Sequence, residues 1–184
     1  AYSSINNVGF ALIGLAAGTE AGIAGVLFYM GIYAAMTVGS FLVVLALRDK
    51  DDKPVDDLAR FAGLSKTRPG LAAALAVFMF SLAGIPPMLG FWPKFSVFNA
   101  AIDAGMYVLA VIGVVTSVVG AYYYLRIVKL AYFDEPVGTL APGDSRVNGI
   151  VLTAAAGFCS PVGMLAIAPL VAWATAAARI IVTG

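Results

Sequence analysis

No histidine occurs in the 184 residues. That excludes His-based catalytic triads, His-built metal centres and His-ligated haems. A single cysteine, Cys159, excludes an intrachain disulfide, and its apolar run makes it a small buried hydrophobe. Charge is scarce: 11% of residues are charged and the formal net charge is +1. No global field therefore points to nucleic acid. Neither a phosphate-cradling glycine loop nor a dinucleotide fingerprint is present. The aromatic residues are spread through apolar runs and form no platform for stacking bases. No carboxylate pair in the polar loop at 48–68 has a catalytic spacing.

What is abundant is apolar surface. Hydrophobic residues make up 61% of the chain and the mean hydropathy is +0.95, far beyond a soluble domain. The expected fold class is all-α, a polytopic transmembrane bundle of about five segments, read as one transmembrane domain over 1–184. Residue 1 is alanine in a running sequence, so the chain is expected to be a piece of a longer protein.

The segments are expected at 4–17, 21–47, 69–102, 106–130 and 148–180. Asn6 and Asn7 lie in the first, where they either bond between helices or line a water path. In the second, Gly31, Ala35 and Gly39 recur every four residues and offer a close-packing face, with Thr37 and Ser40 able to bond across it. Gly113, Ser117 and Ala121 repeat that pattern in the fourth. Tyr122, Tyr123, Tyr124, Arg126 and Lys129 read as headgroup anchors. In the fifth, Pro161 and Pro169 interrupt, and the chain after Pro169 is expected to lie along the interface with Arg179 as a terminal anchor.

The loops at 48–68 and 131–147 are polar, with a short surface helix expected at 58–64. Nine of the eleven Lys and Arg residues fall in these loops or beside them, from Arg126 on, and none in the turns at 18–20 and 103–105. The positive-inside rule then puts both loops on the cytoplasmic or matrix side.

The third segment carries the unusual chemistry. Residues 84–95 read Gly-Ile-Pro-Pro-Met-Leu-Gly-Phe-Trp-Pro-Lys-Phe. Pro86, Pro87 and Pro93 donate no backbone hydrogen bond, and each is expected to disrupt a helix. Lipid cannot satisfy the freed carbonyls, so such a break needs protein or a wet cavity around it. As one straight helix, 69–102 would run ~50 Å at 1.5 Å per residue, too long for one span and too short for two. One span broken near 86–93 fits. Lys94 follows the break, nine residues before Asp103 and ~13 Å along a helix, too deep for simple snorkelling. A membrane-depth cation is a functional-site hypothesis by default.

These residues resemble a known family. Ala1-Tyr2-Ser3-Ser4-Ile5, the run Ser81-Leu82-Ala83-Gly84-Ile85-Pro86-Pro87 with Gly90-Phe91 and Lys94-Phe95, and Tyr122-Tyr123-Tyr124-Leu125-Arg126 are similar to signatures of the antiporter-like membrane subunits of respiratory complex I. The likeness covers essentially the whole chain and is greatest to the C-terminal part of the N-type subunits. It implies a fourteen-helix subunit of two inverted five-helix repeats, this piece holding helices ten to fourteen. It also implies that Lys94 is the lysine of an outer proton half-channel. Asn7 departs from the family, standing where many relatives have histidine, and Pro93 stands where glycine is common.

The resulting expectation is a proton-translocating subunit with no redox centre of its own. Lys94 transfers the proton. Pro86, Pro87, Gly84, Gly90, Ser81, Asn6 and Asn7 form the broken helix and line the path. No cofactor or metal is expected in this chain; NADH, FMN, iron–sulfur clusters and quinone belong to other subunits. The expected partners are neighbouring membrane subunits, including antiporter-like ones, and lipid, in a bacterial plasma membrane or inner mitochondrial membrane. The rivals are a subunit of a multisubunit sodium/proton antiporter and a structural scaffold with an incidental lysine.

Overall fold

A computed structural model of the chain describes residues 2–48, 57–137 and 146–183. Parts of both expected polar loops, 49–56 and 138–145, lie outside the described residues, as do Ala1 and Gly184. The described residues are helical with no strands: α1 (Tyr2–Ala16), α2 (Glu20–Leu45), α3 (Leu64–Thr67), α4 (Pro69–Ala83), α5 (Phe91–Asp103), α6 (Tyr107–Phe133), α7 (Arg146–Cys159) and α8 (Ile167–Thr183). Short 3-10 turns occupy Leu58–Phe61 and Pro161–Ala166. By length and composition, Glu20–Leu45, Tyr107–Phe133 and Pro161–Thr183 can each cross a membrane, and Pro69–Ala83 and Gly149–Cys159 are shorter apolar helices.

The bundle forms around α2, which packs against α1, α4, α5, α7 and α8. Its apolar residues leave no polar stripe, the pattern of a helix enclosed by protein and lipid. Phe28, Ile32, Met36 and Val43 are buried among the side chains of its neighbours. Small residues set how close those neighbours come. A Cβ at Gly22 would lie 2.3 Å from the Gly14 carbonyl oxygen, and one at Gly39 would lie 2.2 Å from the Phe78 ring. Gly39 therefore makes the close contact expected of its face. Gly31 does not: it is exposed, with open space where a Cβ would stand. Ser40 bonds the Met36 carbonyl of its own helix at 2.7 Å rather than a neighbour.

The helix ends follow local chemistry. Gly18, at φ +64°, makes the turn into α2, and Thr19 caps that helix by accepting from the Gly22 N–H at 3.0 Å. Where one surface helix was expected at 58–64, the chain makes the 3-10 turn and then α3, separated by Gly63. The Gly63 N–H donates to the Leu130 carbonyl at 3.1 Å, tying this loop to the end of α6.

Two prolines expected to break helices do not. Pro93 is the third residue of α5 and Pro169 the third of α8. First-turn N–H groups have no intrahelical partner, so proline there removes nothing the helix uses. The fifth segment breaks earlier, at Ser160 and Pro161. After it α8 does not turn along an interface; it continues beside α2 until Arg179 reaches Glu20 at 3.3 Å.

The chain thus makes five passes through the described residues, with α4–α5 and α7–α8 each one broken pass. One end of the bundle carries the α1–α2 turn, Asp103 and Arg179; the other carries α3, where Lys66 pairs with Glu135 at 2.7 Å. Lys66→Cys and Met106→Cys should therefore react with a membrane-impermeant thiol reagent from opposite sides, Lys66→Cys from the cytoplasmic or matrix side. Labelling of both from one side contradicts this arrangement.

Candidate functional site: a buried lysine at a broken helix

α4 ends because Gly84 turns left-handed, at φ +79°. Its N–H bonds Phe80 and Ser81 carbonyls at 3.1 and 3.0 Å, and the Ile85 N–H bonds Phe80 at 3.1 Å, a closure of the Schellman kind. In a continuous helix, the Leu82 and Ala83 carbonyls would accept from residues 86 and 87. Both are proline and have no N–H. The donor they receive instead is Lys94: its Nζ donates to the Leu82 oxygen at 2.7 Å and the Ala83 oxygen at 3.3 Å. The same ammonium donates to Ser117 Oγ of α6 at 3.2 Å. Three donors are thereby placed on three acceptors. The Phe10 ring lies beside the ammonium, with Nζ 4.9 Å from its centroid, a cation–π contact.

Lys94 is 5% exposed. The ion pairs Lys66–Glu135, Lys129–Asp134 and Arg179–Glu20 stand at the ends of the bundle, and none reaches it. What stabilises its charge is oriented dipoles: two carbonyls at the C-terminal end of α4, where a cation is favoured, a hydroxyl and a ring face. Glycine makes the approach possible. A Cβ at Gly84 would stand 2.9 Å from Lys94 Cδ. At Gly90 it would stand 2.1 Å from the Ser81 carbonyl oxygen and 2.8 Å from Met36 Sδ. The Gly90 N–H donates to Ser81 Oγ at 2.9 Å, so Ser81 ties the start of α5 to the end of α4. A cavity of about 400 Å³ opens beside Lys94, lined also by Ser117, Phe95, Phe98 and Asn99.

The two breaks meet. The Leu89 N–H, between Pro87 and α5, donates at 3.2 Å to the carbonyl of Cys159, the last residue of α7. Cys159 is itself buried.

Asn6 and Asn7 are brought to other places. Asn6 lies against the notch at Gly120 of α6. Asn7 is fully buried in a separate polar cluster. Its Nδ2 donates to the Ser3 carbonyl at 2.8 Å and to Tyr124 Oη at 2.9 Å, while its Oδ1 accepts from Tyr29 Oη at 2.8 Å. Tyr124 and Ser3 share a further hydroxyl bond. Phe10 touches both sites, packing edge-on against Tyr29 while its face meets Lys94. Pro86 and Pro87 are exposed and act on the site through the N–H groups they lack.

Tyr124 corrects a sequence expectation. It is 6% exposed and bonded within the protein, not a headgroup anchor, whereas Tyr122 and Tyr123 are 65% and 60% exposed. Three tyrosines in a row face different directions on a helix, and here the third faces inward. Sequence reasoning also missed Ser117, Phe10 and Tyr29 as site residues. Ser117 is the one hydroxyl in a stripe of small residues; Phe10 and Tyr29 give no sequence signal that separates them from core. Among the described residues no group of His, Cys, Asp and Glu could hold a metal ion.

Residues 1–120 match the NADH:quinone oxidoreductase/Mrp antiporter transmembrane family. The chain belongs to that family, as the motif around Lys94 led us to expect, and is an integral, multi-pass membrane protein. It is 58% identical over 180 residues to NADH-quinone oxidoreductase subunit N of Rhizorhabdus wittichii, covering 97% of this chain and 37% of that relative. It is 52% identical to the subunit N of Sphingopyxis alaskensis, with 98% and 38% covered. The chain thus spans under two-fifths of the length of these relatives. Among solved structures, it is similar to a chain of respiratory complex I from Thermus thermophilus with bound aureothin: TM-score 0.74, 32% identity, 92% of this chain and 38% of that one. It shares its fold with a chain of the Mrp complex from Dietzia at TM-score 0.75 and 22% identity, covering 96% of this chain and 41% of that one.

Two substitutions separate the bond from the spacing at the helix junction. Ser81→Ala leaves the buried Gly90 N–H unpaired and should cost ~1–3 kcal/mol. Gly90→Ala drives a methyl into backbone and should cost at least as much, since overpacking runs ~1–3 kcal/mol and this neighbour is not flexible. Thermal inactivation of the membrane-bound protein measures both. Wild-type stability of Gly90→Ala contradicts the close approach.

Proposed function

We propose that this chain is part of a proton-translocating membrane subunit of an NADH:quinone oxidoreductase, with Lys94 as its proton carrier. The observation that carries this is Lys94 itself: a buried lysine with no carboxylate partner among the described residues, held by carbonyls that proline leaves free and bordering a cavity. Its relatives' names, NADH-quinone oxidoreductase subunit N, support the assignment. An ammonium held by neutral dipoles can return to the amine without leaving an orphaned anion. Loss of its proton leaves two N–H bonds facing three acceptors, so the protonation state is coupled to how α4, α5 and α6 are held together.

On this reading the redox reaction takes place elsewhere. NADH, FMN, iron–sulfur clusters and quinone belong to other subunits, and this chain's partners are neighbouring membrane subunits, antiporter-like ones among them. The membrane is the bacterial plasma membrane or the mitochondrial inner membrane. Pro86, Pro87 and Gly84 hold the break open, and Gly90 and Ser81 set its spacing, while Asn7 ties α1 to α2 and α6 in the separate cluster with Tyr29 and Tyr124. The Mrp likeness is one of fold and does not favour sodium transport over proton transport.

Lys94→Met should lower proton pumping severalfold in membrane vesicles while the complex still assembles on a native gel. Lys94→Arg should be impaired as well, because guanidinium keeps its proton throughout the accessible range. A fully assembled Lys94→Met complex that pumps at the wild-type rate and stoichiometry would show that the lysine is not an obligatory carrier.

A further inference from the structure

One of the groups around the Lys94 ammonium responds to its charge alone. A neutral amine keeps two N–H bonds, enough for the Leu82 and Ala83 carbonyls, and the Ser117 hydroxyl can turn from acceptor to donor toward its lone pair. Each of the three polar contacts therefore has a counterpart in either form. The contact with Phe10 has none. Lys94 Nζ lies over that ring, 4.9 Å from its centroid. The negative face of an aromatic quadrupole attracts a cation and gains little from an amine.

The ring is also fixed in place. Phe10 is 1% exposed and packs in an apolar cluster with Ile13, Tyr29, Val97 and Ala101. Two rings meet it nearly at right angles: Tyr29 of α2 at 6.4 Å and 74°, and Phe98 of α5 at 5.7 Å and 85°. Tyr29 is held in turn by the bond from its hydroxyl to Asn7 Oδ1, and Asn7 stands one turn before Phe10 on the same side of α1. The ring is thus set by α1, α2 and α5 together and presents its face to the ammonium without further ordering. A cation–π contact is strongest where both groups are out of water, and Lys94 is itself 5% exposed. The ion pairs at the ends of the bundle do not reach it.

Resting on the reading of Lys94 as carrier, we infer that Phe10 is a positioning residue for that carrier, its ring face holding the charged form of Lys94 at its acceptors on α4 and α6. Phe10 takes up and releases no proton. Without its attraction the ammonium keeps its hydrogen bonds but loses the one contact that favours it over the amine, and reloading of the lysine after a proton has left is slowed.

The test uses the intact complex in sealed membrane vesicles, with assembly checked on a native gel. Mono-, di- and trifluorinated phenylalanine replace Phe10 in turn. Fluorine draws electron density off the ring face and hardly alters the ring's shape, so a merely structural role is left unmoved. The initial rate of proton pumping should fall with each fluorine, severalfold at the third, in complexes that assemble as wild type does. Phe10→Leu should be at least as slow; if it fails to assemble, the fluorinated series decides. The same series at Phe28, a buried ring of α2 in the larger core cluster, should leave the rate unchanged. An assembled complex with trifluorinated Phe10 that pumps at the wild-type rate, alongside a failing Lys94→Met, overturns the role of Phe10 and leaves the carrier standing. An equal fall at Phe28 overturns it too. Wild-type pumping by Lys94→Met overturns the carrier and the role of Phe10 with it.

Discussion

A backbone carbonyl inside a membrane must be given a donor, because no water is at hand to supply one. Pro86 and Pro87 withdraw two donors in succession, and the carbonyls they leave belong to Leu82 and Ala83. The rest of this structure answers that deficit. Gly84 turns the chain so that α4 ends there. Ser81 and Gly90 hold the start of α5 against it. Lys94, in the first turns of α5, sends its ammonium back to the two carbonyls. Each of the two costly features resolves the other. The lysine needs acceptors at a depth where charge costs several kcal/mol or more, and the break needs a donor.

The same arrangement explains why α2 is so plain. It carries no charge between Glu20 and its end at Leu45, and its task is to be apolar and close-fitting. Small residues at Gly22 and Gly39 let α1 and α4 approach it. Gly25 has Val97 and Ser96 of α5 where a Cβ would stand, and Met36 lies against Gly90. The broken pass is held in place by an unbroken one. The second break, at Ser160 and Pro161, is pinned to the first through the Leu89–Cys159 bond.

Much of this is legible in the sequence because hydrophobic runs, prolines and an isolated lysine are strong signals in a membrane chain. The interrupted third segment follows from its length and from Pro86-Pro87, and the family follows from the motif that holds them. Other features are not legible, for physical reasons. Pro93 and Pro169 read as breaks, yet a proline in the first turn of a helix breaks nothing, and its register cannot be known until the helix start is. Tyr124 reads as an anchor beside Tyr122 and Tyr123; only the rotation of α6 sets it apart. Phe10 and Tyr29 look like any core aromatic until the Lys94 ammonium and the Asn7 amide stand beside them.

On the proposed function, the two prolines matter to transport because they leave carbonyls for Lys94. The most direct measurement is the initial rate of proton pumping by vesicles containing Pro86→Ala/Pro87→Ala, with Lys94 untouched and assembly verified. Alanine restores two N–H groups, so the Leu82 and Ala83 carbonyls can be served by backbone and the lysine loses its acceptors. The account predicts a severalfold lower rate in an assembled complex. A wild-type rate would mean that the prolines only shape the packing and that the lysine does not depend on them.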